Sequence, residues 1–129
     1  MKHIAVWIDH NEAKVFDVDA DEVARTVVHA PGPHIHRKPK DQEVRTRNHP
    51  DDEHHFFRDV ARTLDGSVGQ ILVVGPSQTK LHFLRYLRGK DPALESRIVG
   101  VETVDHPTDG QLVAHLRHYF HEAPPVGGA

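Results

Sequence analysis

The run "QILVVG" at 70–75 constrains this chain more than any other stretch. It is apolar without alternation, as expected of a strand covered on both faces, so helices must pack on each side of its sheet. The neighbouring segments supply them. From Asp51, the apolar residues Phe56, Phe57, Val60, Ala61 and Leu64 recur at helical spacing, and Gly66 stops the helix. "SQTKLHFLRYLRG" (77–89) reads as a second helix, capped by Ser77, with Leu81, Leu84 and Leu87 on its inner side. "TDGQLVAHLRHYFH" (108–121) is a third, with Leu112, Val113, Leu116 and Phe120 inward; His115, His118 and His121 read as its solvent face and receive no function.

The remaining ordered stretches read as strands. "HIAVWID" (3–9) and "AKVFDV" (13–18) form a hairpin through His10-Asn11-Glu12, and "EVARTVVHA" (22–30) and "RIVGVETV" (97–104) complete the set. The order β-β-β-α-β-α-β-α, with right-handed crossovers, is that of the ribonuclease H-like fold. It predicts a five-stranded mixed sheet with helices on both faces. The 129 residues suit one domain, taken as 1–122, with a long basic loop over about 31–50 and a flexible tail at 123–129. "HPDDEHHFF" and "HPTDGQLVA" echo each other as helix starts, and Thr108 with Gln111 fits a capping box.

Composition narrows the chemistry. The chain has no cysteine, which excludes disulfides and thiolate catalysis. No stretch approaches the ~20 apolar residues of a membrane span, and "MKHIAVWID" lacks the features of a signal peptide, so a cytoplasmic location is expected without a membrane partner. The net charge of -3 disfavours general affinity for nucleic acid. The exception is local: Arg37, Lys38, Lys40, Arg45 and Arg47 lie between Pro31 and Pro50 with only Asp41 and Glu43 against them. A loop this long inside a compact unit is usually functional or disordered. Its bases would release counterions on meeting phosphates, and His34 and His36 would stack on unpaired bases or donate to phosphates.

Other chemistries compete for the same residues. His34 and His36 share a face of an extended segment, and with a third histidine such as His49, His54 or His55 they would suit zinc or nickel. Asp9, Glu53 and Asp109 are candidate carboxylates for a ribonuclease H-type nuclease, but Gly75-Pro76-Ser77 stands where a further acid is wanted. Ser77 and Lys80 in "GPSQTK" would offer an anion contact at a helix start, although the glycines of a P-loop are missing.

"IAVWIDHNEAKVFDV", "ILVVGPSQTKLHFL" and "IVGVETVDHPTDGQL" resemble the middle domain of archaeo-eukaryotic peptide-chain release factors and of Pelota. Small bacterial relatives labelled translational machinery proteins look most similar. The likeness covers residues 3–121 and implies the ribonuclease H-like fold, with the ribosome, rRNA or tRNA as partner. Release factors carry Gly-Gly-Gln in the loop before the first helix, where it organises water against the peptidyl-tRNA ester. Here that loop has Gln42 between Asp41 and Glu43 and no Gly-Gly. Without glycine the backbone loses access to unusual dihedrals and close approach, and two carboxylates would repel RNA phosphates. The expectation is therefore a translation-associated, RNA- or ribosome-binding module, with ester hydrolysis through Gln42 or metal-dependent nuclease action as the alternative. The sequence does not indicate an oligomeric state.

Overall fold

The computed structural model describes residues 3–31 and 50–122. Five strands, β1 (His3–Ile8), β2 (Glu12–Val18), β3 (Val23–His29), β4 (Gln70–Gly75) and β5 (Ile98–Thr103), form one sheet in the order β3-β2-β1-β4-β5. β1 pairs antiparallel with β2 and parallel with β4; β2 and β3 are antiparallel, β4 and β5 parallel. The helices are α1 (Pro50–Asp65), α2 (Thr79–Lys90), α3 (Pro92–Glu95) and α4 (Asp109–Glu122). This is the ribonuclease H-like arrangement the element order predicts.

Alternation along the central strands divides the core in two. Ile4, Val6, Ile8, Ile71 and Val73 face α1, α2 and α3 and pack with Phe56, Phe57, Leu64, Phe83, Leu87 and Leu94. Ala5, Trp7, Leu72 and Val74 face the other way, with Phe16 and Val18, and are covered by Leu112, Leu116 and Phe120 of α4. Each fully buried aliphatic or aromatic side chain contributes about 1.5–3 kcal/mol. The run at 70–75 is buried from Ile71 to Gly75, as a two-faced strand requires.

Local chemistry sets the element ends. At the β1–β2 turn, the Asp9 carboxylate accepts from the backbone N–H groups of Asn11 (2.8 Å) and Glu12 (3.0 Å). α1 stops at Gly66, and the Arg97 guanidinium gathers the loose groups that follow, donating to the carbonyls of Gly69 (2.9 Å) and Leu64 (3.3 Å) and to Ser67 Oγ (3.3 Å). Gly69 has φ 124°, a conformation that glycine alone adopts without strain. Thr108 and Gln111 form the predicted reciprocal box at the start of α4, at 2.9 and 3.1 Å.

Two expectations need correction on this side of the sheet. The inner face of α2 is Phe83 and Leu87, flanked by Thr79 and Lys80, whereas Leu81 stays 45% exposed. The helix starts at Thr79, after Gln78, and of the expected inner leucines Leu87 is buried and Leu84 packs against the core. The short α3 was not foreseen, although its signal is present. Asp91 accepts from Leu94 N–H at 3.2 Å and Pro92 occupies the first helical position.

Candidate nucleic-acid interface at one end of the sheet

The long connection leaves and returns at the end of the sheet where β1 and β4 finish. Ala30 N–H donates to the Asn11 carbonyl (2.8 Å), so the chain departs beside the β1–β2 turn. It comes back at the start of α1, which then runs the length of the sheet to reach the beginning of β4. Residues 32–49 lie outside the described residues, and with them His34, His36, Arg37, Lys38, Lys40, Gln42, Arg45, Arg47 and His49.

The flanking surface is described in detail. Trp7, only 3% exposed, donates its indole N–H to the Asp105 carbonyl at 2.8 Å and thereby straps the segment before α4 across the end of β1. The His106 ring lies tilted against Trp7 at 5.2 Å, and Lys14 Nζ stands 5.5 Å from the indole on the neighbouring strand. Asp109, in the first turn of α4, accepts from Arg25 at 2.5 Å and has Lys14 at 3.7 Å. An acid there also suits the positive end of the helix. His29 Nδ1, at the end of β3, lies 3.9 Å from Glu12. The chemical character is cationic and aromatic groups paired with internal carboxylates.

The three nuclease candidates are not brought together. Asp9 is engaged by the turn backbone. Glu53 sits on the α1 side of the sheet, 3.6 Å from His82 of α2. Asp109 belongs to the opposite, α4, side, bound to Arg25. Among the described residues, no group of three or more histidine and acidic side chains is placed to hold a metal ion. His54, one of the possible third metal ligands, packs instead against Tyr86 with ring centroids 5.7 Å apart.

The "GPSQTK" segment is also differently used. Ser77 is exposed and does not cap α2; Gln78 holds the cap position without a side-chain hydrogen bond. Lys80 is only 6% exposed, and its ammonium donates to the Ser77 carbonyl at 2.6 Å. That bond ties the strand end to the helix start and turns the lysine inward.

At the other end of the sheet lies a recess of about 750 Å³ lined by His3, Asp17 and the 66–70 turn. His3 stacks on Phe120 at 4.0 Å, and this burial, reinforced by the nearby N-terminal amine, holds the imidazole below its ordinary pKa. The recess is mostly apolar. Among the described residues, no helix is long and apolar enough to cross a membrane.

Sequence reading missed Lys14, Arg25, Asp105 and His106. Their pairings join positions far apart in the chain, so no local spacing announces them; only the motifs "WIDH" and "VETVDHPTDGQL" marked part of the cluster.

Comparison with solved structures gives the class of fold. Pelota from Archaeoglobus fulgidus superposes with a TM-score of 0.63 at 16% identity, covering 91% of this chain and 31% of that one. Pelota from Thermoplasma acidophilum gives 0.62 at 16% identity, over 88% and 31%. The archaeal translation termination factor aRF1 gives 0.55 at 14% identity, over 98% and 35%. The chain thus spans about a third of the length of these proteins and shares the fold of one part of them. No family model matches the chain, and no curated protein matches it by sequence.

Proposed function

We propose that this chain is a translation-associated module that meets ribosomal RNA or tRNA, presenting the 31–50 connection from the end of the sheet that carries Trp7, Lys14, Arg25 and His106. The observation that carries this reading is the fold likeness, over nearly the whole chain, to Pelota and to an archaeal translation termination factor. The five Lys/Arg of the connection supply the charge for phosphate contact, and both of its stems stand at one end of the sheet. Missing Gly-Gly beside Gln42 and unconverged Asp9, Glu53 and Asp109 favour binding over hydrolysis.

Co-sedimentation with ribosomes at low and moderate salt tests the proposal. The chain is expected in the ribosome pellet at low salt, with release as salt rises. A variant with Arg37, Lys38, Lys40, Arg45 and Arg47 all changed to Gln is expected to remain in the supernatant. Failure of the unaltered chain to pellet at either salt concentration overturns the reading.

A further inference from the structure

We infer that the recess beside His3 is a binding site for a small, uncharged, planar molecule that carries an N–H donor. A volume of about 750 Å³ is that of a small-molecule cavity, and the lining is mostly apolar with few polar groups, as such sites are. His3, Asp17 and the 66–70 turn, which line it, all belong to the described residues. The recess opens at the start of β1, the far end of that strand from Trp7.

Its walls are fixed by contacts within the chain. His3 pairs with Gln70, the first residue of β4. The His3 ring is stacked on Phe120 with the planes 14° apart, and Tyr119 backs Phe120 edge-on at 5.2 Å. The turn is pinned as firmly. Arg97 donates to the Gly69 carbonyl and to Ser67 Oγ, while the Ser67 N–H and hydroxyl both donate to the Leu64 carbonyl, at 3.0 and 2.6 Å. Walls ordered in advance lower the cost of binding. Val68, in this turn, is 74% exposed, more than any other large hydrophobic side chain among the described residues. A flat apolar ring seated in the recess takes part of it out of water.

The polar groups select the ligand's chemistry. Burial lowers the pKa of His3, so its imidazole is uncharged at neutral pH. Asp17, on β2 opposite Ile4, is then the one charged side chain in the lining. Its carboxylate repels anions and accepts from N–H groups. Asp17 has an interaction of its own within the chain, and a carboxylate with about four lone-pair sites takes a further donor. The class that fits is a neutral nitrogen heteroaromatic such as an indole, and a phosphate does not fit.

Skatole and N-methylindole are isomers, and only skatole has an N–H. Each is titrated into the whole chain at neutral pH and followed by proton–nitrogen NMR. A ligand of about ten non-hydrogen atoms is expected to saturate at millimolar concentration. Skatole is expected to shift the amides of Val68, Gly69 and Gln70, and N-methylindole to bind about tenfold more weakly. Inorganic phosphate is expected to leave those amides in place. Val68→Ser, at an exposed position, is expected to weaken skatole about threefold with an unchanged melting curve. Shifts scattered over the surface or without saturation, equal affinity for the two isomers, phosphate shifts at the same amides, or V68S binding at full strength overturns the proposal.

Discussion

At the scale of single residues, two glycines show how closely backbone and side chain approach. A methyl group on Gly75 would run into the Ile8 carbonyl, a backbone atom with nowhere to move. Gly75→Ala is therefore expected to cost about 1–3 kcal/mol in chemical denaturation. A methyl on Gly100 would meet the Tyr119 hydroxyl, the movable end of a side chain that donates to the Val99 carbonyl at 3.3 Å. Gly100→Ala should lose that bond, worth about 1 kcal/mol. In a Tyr119→Phe background the same substitution should cost less, so a double-mutant cycle is expected to show coupling. His3 gives a pH signature. Its pKa is lowered in the folded state by burial, so folded molecules bind fewer protons than unfolded ones between that value and about 6.5. Stability should rise with pH through that window, and His3→Phe, which keeps a ring against Phe120, should flatten the rise in urea denaturation.

At the scale of elements, α4 is the only helix among the described residues that covers its side of the sheet, so its anchors have no described substitutes. Leu116→Ala is expected to cost about 2–5 kcal/mol, whereas Leu81→Ala, on the exposed side of α2, should stay within about 0.5 kcal/mol. The contrast shows what the sequence revealed and where it stopped. Central strands and most helix faces were readable because burial imposes its own period, clearest in the unbroken run at 70–75. In α2 the leucine repeat points rightly to Leu87 and to Leu84, which packs against the core, but only the sheet beneath turns Phe83 rather than Leu81 inward. The strap from Trp7 to Asp105 and the clamp of Arg25 on Asp109 were illegible, since each is a tertiary pairing with no local spacing. Where α1 ends near the α2–α3 junction, burial and the neighbouring Asp91 carboxyl raise the pKa of Asp65. Folded molecules there bind more protons above the ordinary aspartate value, so this contribution to stability fades as pH rises. Asp65→Asn should abolish that fading.

At the scale of the molecule, the histidines of the basic connection make opposite predictions for two ligands. Histidine ordinarily titrates near pH 6.5, so the histidines of the connection gain charge as pH falls toward about 6. RNA affinity measured by fluorescence anisotropy should then strengthen, and His34→Ala with His36→Ala should remove the effect. Zinc or nickel held by those imidazoles would instead be released, because protonation takes the ligating lone pair. The strap across the end of β1 has a further consequence, in time rather than space. Trp7 and Asp105 lie 98 positions apart, so the middle strand of the sheet waits for a segment made much later. A chain synthesised through β5 still lacks the helix that closes over Ala5, Trp7, Leu72 and Val74. Contacts of such long range slow folding. Trp7 is the only tryptophan, so its fluorescence in refolding should lag the far-ultraviolet signal of the earlier helices and become native only when α4 docks.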